Sequence, residues 1–241
     1  MMQAALPCVM VDVNRTPVRG PRADAVRTLR QIERRLTRAF GPQHWWPART
    51  AFEVMVGAIL TQATNWNNVE RAIGRLRRER ALTATGLRRV RTERLARLIR
   101  PAGYPGEKAT RLAAFTRWYL RRGGGRAARL FRTPWPALRR ELLRLRGIGP
   151  ETADAILLYA GAQPVFVVDA YTRRVFARHG LNAPAARYED IQHQVMAALP
   201  GGAERYNELH ALLVVVGKRH CHRRRPACAG CPLEQLPHNV C

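Results

Sequence analysis

Apolar residues recur along the chain at spacings of three and four, the mark of helices that bury one face. Val26, Leu29, Ile32, Leu36 and Phe40 form one such stripe, with arginines on the opposite face. The alternating pattern that a half-buried strand requires does not occur in the sequence. The segment AFEVMVGAIL is apolar on most sides, which places it at the centre of a core, and Thr50 and Glu53 at its start form the pattern of a capping box. Similar spacing predicts helices over 67–79, 92–100, 107–121, 135–145, 151–161, 170–179, 187–199 and 204–217. The breaks between them fall at Pro101, Gly103, Gly123-Gly124-Gly125, Pro134, Pro136 and Pro200-Gly201-Gly202. The expected fold is all-α, without a fixed-period repeat. Residues 1–22, with Pro7, Pro17, Gly20 and Pro21, read as a loose leader in which Cys8 is a bystander.

Composition narrows the partner. A chain of 241 residues, 46% hydrophobic, can bury one or two cores without staples. Its 42 Lys+Arg against 17 Asp+Glu give a net charge of +25, which points to a polyanion, most simply nucleic acid. A genome-wide arginine bias also produces this imbalance, and Lys108 and Lys218 are the only lysines. Arginine's planar fork suits phosphate whatever its origin. The opening segment lacks a basic signal region, and the longest apolar run, Ala211–Val216, is far short of a bilayer span. Four of five cysteines crowd into the last 21 residues, unlike a secreted disulfide framework. These features predict a soluble, cytoplasmic protein with no membrane partner.

Four groups of residues can carry chemistry. Gly147-Ile148-Gly149 joins two predicted helices; the backbone N–H groups opening the second helix favour a phosphate, and Ile148 can pin the turn to the core. A GxG pair between helices also serves as an ordinary turn. Asp169, in VFVVDAYTRRVF, ends an apolar segment where a carboxylate either caps the next helix or stabilises a developing sugar cation beside a DNA-gripping hairpin. Cys221, Cys228, Cys231 and Cys241, spaced C-x6-C-x2-C-x9-C, read as a zinc or iron–sulfur site; His238 is an alternative fourth ligand. Arg223, Arg224 and Arg225 lie within the first cysteine loop, where a rigid metal knot would present them to a phosphate backbone. Gln62, Asn65 and Trp66, with His44-Trp45-Trp46-Pro47, supply side chains able to fill the gap left by a flipped nucleotide and to stack on its base, although tryptophans pack in cores as readily.

Together, LRGIGPETADAIL, VVDAYTRR and the closing cysteines resemble the helix–hairpin–helix DNA glycosylases of the endonuclease III type, from about Phe52 to Cys241. The resemblance implies two helical domains with DNA in the cleft between them. One is a central bundle over 43–163 carrying the helix–hairpin–helix; the other is a discontinuous domain, 23–42 with 164–241, that holds a cluster. It implies that Asp169 is the catalytic aspartate and that Gln62 enters the space left by the flipped nucleotide. It also implies that Gly147, Ile148, Gly149 and Thr152 grip DNA, and that the cysteines hold a 4Fe–4S cluster rather than zinc. The partner implied is double-stranded DNA containing a damaged base, bound by a monomer.

Departures from the family pattern sharpen the expectation. Members that also nick the strand carry a lysine just after the hairpin, where its amine forms a Schiff base with the sugar. Here Glu151 stands at that position, which implies a glycosylase that leaves an abasic site, with little or no lyase activity. With the WWP and TQ-x-T-x-W motifs, this is most similar to the 3-methyladenine branch, in which an aromatic pocket (Trp46, Pro47 and Trp66 here, with Glu151 as a negative wall) takes a cationic alkylated purine. Ala63, where that branch has asparagine, and the final cysteine spacing of nine rather than five depart from it. The rival readings are excision of oxidised pyrimidines or of thymine or uracil opposite guanine, and a non-catalytic protein that recognises lesions.

Overall fold

The computed structural model describes residues 23–46 and 48–239. The expected leader with Cys8, the expected pocket residue Pro47 and the expected metal ligand Cys241 therefore lie outside the described residues. Among those described there are twelve α-helices and no strand: α1 (Ala23–Phe40), α2 (Ala51–Leu60), α3 (Trp66–Arg78), α4 (Ala84–Arg89), α5 (Thr92–Ile99), α6 (Pro105–Gly123), α7 (Ala127–Leu130), α8 (Trp135–Leu143), α9 (Pro150–Ala155), α10 (Ala170–Arg178), α11 (Tyr188–Ala198) and α12 (Ala203–Arg219). The all-α expectation holds, and among the described residues no helix is long and apolar enough to cross a membrane.

Each helix packs by the face its sequence provides. Leu29, Ile32 and Leu36 of α1 are buried and lie against α11 and α12. Nine of the ten residues of α2 are buried, which makes it the central helix around which α3, α6 and α9 gather. The apolar side chains of all these helices form one continuous core, so the cavity described below rests on a single packed foundation.

Three local features differ from the sequence reading. Thr50 does cap α2, accepting from the Glu53 backbone at 3.1 Å, but the Glu53 carboxylate binds Arg77 at 2.6 Å instead of turning back to Thr50. The capping box is thus half formed, because a buried carboxylate gains more from a cation than from one exposed N–H. The helix expected over 151–161 changes at Ile156 into a π turn running to Ala160, which turns Tyr159 towards the cavity. Short helices α4 and α7 escape an apolar-period search because neither spans two turns.

Lys108 has a structural role. It is 1% exposed, and its Nζ donates to the Leu60 carbonyl at 2.9 Å and the Ala102 carbonyl at 2.7 Å. This ammonium satisfies the end of α2 and ties the 102–104 loop beside it.

Candidate active site

The hairpin joins α8 to α9 through a turn whose geometry demands glycine once. Gly147 has φ +83°, and a Cβ there would lie 2.4 Å from Nε of Arg111. Gly149 has φ −92° with open space where a Cβ would stand, so the turn itself does not require glycine there. Ile148 is 4% exposed and anchors the turn in the core. Beneath it, Arg139 grips the fully buried Asp154 through two bonds of 2.7 and 3.1 Å, fixing α8 to α9.

Gln62 follows α2 and reaches the same turn. Its amide nitrogen donates to the Gly147 carbonyl and to Oγ1 of Thr152, both at 2.9 Å, and its Oε1 accepts from Arg111 at 2.6 Å. The residue predicted to probe a duplex is thus braced against the hairpin, and Arg111, which no sequence motif marks, is the brace.

Beside the hairpin lies an open cavity of roughly 1180 Å³. Its walls bring together Trp45 and Trp46, Gln62 with Thr64, Asn65 and Trp66, Glu151 and Thr152, Tyr159, Asp169 and Tyr171, and His210 and Lys218 from α12. Trp46 and Trp66, both expected to stack on a base, meet each other edge-on with centroids 4.9 Å apart. A sandwiched ring needs about 7 Å between two parallel faces, so stacking between them requires one indole to turn.

Two carboxylates face this space. Asp169 is the N-cap of α10: its Oδ1 accepts from the Thr172 backbone at 2.7 Å, while Oδ2 lies 3.7 Å from Nε2 of His210. Glu151 stands in the first turn of α9, exposed at the cavity mouth. The surrounding walls strip enough water from its carboxyl to push its pKa up to about 7; the neighbouring Asp169 adds to the rise and Arg173 opposes it.

A base-excision repair family model matches residues 56–200, spanning α2 through α11: the HhH-GPD superfamily of base excision DNA repair proteins. The chain belongs to that superfamily. Over 199 residues it is 44% identical to a provisionally named DNA repair glycosylase of Methanocaldococcus jannaschii, covering 82% of this chain and 90% of that one. It is 26% identical to endonuclease III of Thermotoga maritima, covering 86% and 90%. Among solved structures, the H. pylori 3-methyladenine DNA glycosylase bound to 1,N6-ethenoadenine matches with a TM-score of 0.68 at 27% identity, covering 81% of this chain and 97% of that one. A non-covalent endonuclease III–DNA complex shares the fold, with a TM-score of 0.76 over 88% and 94% of the two chains.

Within this family frame, α10 connects two predicted sites. Its first turn is capped by Asp169; from its other end Arg174 donates to the Cys221 carbonyl at 2.6 Å and Arg178 to the Cys221 sulfur at 2.9 Å. Cys221, Cys228 and Cys231 carry free thiols and line one cavity of about 360 Å³ with His179, His220 and His238. Burial raises the Cys231 thiol pKa, and the Cys221 and Cys228 thiols and Glu234 add to the rise, so these sulfurs gain from a shared cation. Among the described residues, however, no three His, Cys, Asp or Glu side chains are arranged to hold a metal ion by themselves. Arg223, Arg224 and Arg225 are all exposed on this loop.

Tyr159, Tyr171, His210 and Lys218 line the cavity although no sequence motif marks them as site residues, and Trp45, one of the candidate stacking residues, joins them. Tyr159 and His210 sit on apolar helical stripes where they look like core; only the π turn and the packing of α12 turn them inward. Lys218, which the sequence places outside the hairpin, shares the cavity wall with Glu151.

Proposed function

We propose that this DNA repair glycosylase excises an alkylated purine such as 3-methyladenine by hydrolysis, leaving an abasic site. The observation that carries this reading is the cavity itself, in which Trp45, Trp46, Trp66, Tyr159 and Tyr171 surround two carboxylates. A flat, positively charged base gains from electron-rich rings and from Glu151, whose ionised form a bound cation favours. A neutral pyrimidine gains less from both. The likeness to a solved glycosylase that binds 1,N6-ethenoadenine supports the same class of base.

In the excision step, the bond between sugar and base breaks and positive charge develops on the sugar. Asp169, held by the α10 backbone, supplies the opposing charge and orients the water that completes hydrolysis. The hairpin holds the phosphates by its backbone, as family members do without reading sequence. Gln62 and Tyr104 would fill the gap in the duplex. Tyr104 is 63% exposed with φ +47°, on the loop that Lys108 ties beside the end of α2.

Glu151 has no amine with which to form a Schiff base, so strand cleavage is weak or absent. Lys218 on the same wall is the group able to contradict this. Cys221, Cys228, Cys231 and Cys241 would hold a 4Fe–4S cluster, which when bound stiffens the loop that presents Arg223, Arg224 and Arg225 to phosphate. Visible absorbance of the purified protein tests that assignment, and a colourless protein refutes it.

The deciding experiment assays base release and borohydride trapping on duplexes carrying alkylated purines, oxidised pyrimidines or mismatches. Release of an alkylated purine without a trapped adduct is expected. Preferential release of an oxidised pyrimidine overturns the substrate class. An adduct lost in Lys218→Ala overturns the monofunctional reading and names the amine.

A further inference from the structure

Behind Asp169 lies a buried polar pair with one unused proton. His210 of α12 is 5% exposed, and its Nδ1 is hydrogen-bonded to the hydroxyl of Tyr159 from the π turn. Its Nε2 is fully buried without a hydrogen-bond partner, and it faces Oδ2 of Asp169 at 3.7 Å. The Trp45 indole stacks on the ring with centroids 5.8 Å apart, and Phe166 packs edge-on at 6.4 Å. A buried polar nitrogen left unpaired is unfavourable, and a movement of about 0.8 Å brings this one to ordinary bonding distance.

Which nitrogen carries the proton follows from the neighbours. Burial raises the Tyr159 pKa well above its usual value, so its phenol is a neutral donor, and Nδ1 is the acceptor within reach. The imidazole proton then sits on Nε2, aimed at the carboxylate. The opposite tautomer sets a lone pair against Oδ2. Burial also lowers the His210 pKa, against the pull of Asp169, so the ring is neutral at pH 7.

We propose that His210, oriented by Tyr159, is a positioning residue that donates from Nε2 to Oδ2 of Asp169 as the cavity closes on a flipped nucleotide. This rests on the glycosylase reading above. Oδ1 is already fixed by the Thr172 N–H, so this second bond stops the carboxylate from rotating and directs its remaining lone pairs at the sugar. A neutral donor achieves this without cancelling the charge that the reaction needs; an imidazolium at the same place would cancel it. Tyr159 and Asp169 are the titratable groups that face His210 from other elements, and Glu151 and Lys218 share its cavity.

Two measurements test the proposal. In single-turnover base release, His210→Leu is expected to slow the reaction about 10- to 100-fold. His210→Gln, whose amide reaches the position of Nε2, should recover to within about 3-fold, and Tyr159→Phe should fall between the two. Thermal melts establish that each variant is folded; where His210→Leu is not, His210→Gln and Tyr159→Phe carry the comparison. Independently of activity, nitrogen NMR of the imidazoles, with His210 assigned from the His210→Gln spectrum, should show the Nε2–H tautomer and a pKa that falls further in Asp169→Asn. An Nδ1–H tautomer, or a His210 titration indifferent to Asp169, overturns the pairing. Base release that depends on Asp169 yet ignores His210→Leu defeats this proposal alone. Absence of release from every duplex defeats the glycosylase reading, and the NMR result still decides the pairing.

Discussion

The starts of α9 and α10 each place a carboxylate in one cavity, and the two are held in opposite ways. Asp169 is itself the N-cap of α10, with one oxygen committed to the Thr172 N–H. Helix α9 starts on Gly149, which has no side chain to cap it, and Glu151 stands just beyond Pro150 with its pKa pushed up to about 7. A carboxylate that accepts a backbone N–H is fixed in direction; one partly desolvated beside another carboxylate, without that support, is pushed up towards neutrality. Two acids of one chemical class can therefore divide the work. In the proposed reaction Asp169 opposes the charge on the sugar, and Glu151 is a wall whose charge depends on pH and on what is bound.

Asp169→Asn is the strongest way to break this comparison. Asparagine caps helices about as well as aspartate, so melting should change by less than about 1 kcal/mol. Single-turnover base release should nevertheless fall about 10²- to 10³-fold, because the charge opposing the sugar cation is gone. Loss of stability in step with loss of rate would show that the side chain is only a cap. Gly147→Ala attacks the other helix start. It forces an L-residue to φ +83° and drives a Cβ to 2.4 Å from Arg111, the brace of Gln62. Denaturant melts should show a loss of about 2–3 kcal/mol, with weaker binding to undamaged duplex. Gly149→Ala, at φ −92° in open space, should cost less than about 1 kcal/mol in the same melts.

How far the sequence could be read follows from the range of the forces involved. Helices with a long apolar stripe, such as α1, and the fully apolar α2 are visible because burial repeats along the chain. Gly147 and Asp169 are visible because a turn and a cap are local devices. Arg111, Tyr159 and His210 are not, because their meaning lies in partners 49, 51 and 51 residues away. In the sequence only its position marks Glu151; its raised pKa comes from the walls around it and from Asp169, and no local pattern encodes that. The tryptophans show the same limit: residue type suggests stacking on a base, while packing sets Trp46 and Trp66 edge to face.

Glu151→Gln gives a small expected effect and the sharpest test of the division of work, because it should act with opposite signs on stability and on activity. Folding raises the Glu151 pKa from 4.5 to about 7, so its contribution to stability is fully present below pH 4.5 and is lost as pH rises through 7. Glutamine is neutral throughout, so the free variant should gain on the natural protein in melts recorded from pH 6 to 8, modestly because the side chain keeps contact with water. Release of a cationic base should respond the other way. The natural protein acquires its negative wall over the same interval, so its advantage over the variant should grow to about 5- to 10-fold by pH 8. For a neutral base the ratio of the two rates should stay flat across the interval. A flat ratio for the cationic base as well would mean that Glu151 does not touch it, and that Asp169 and the aromatic rings alone define the pocket.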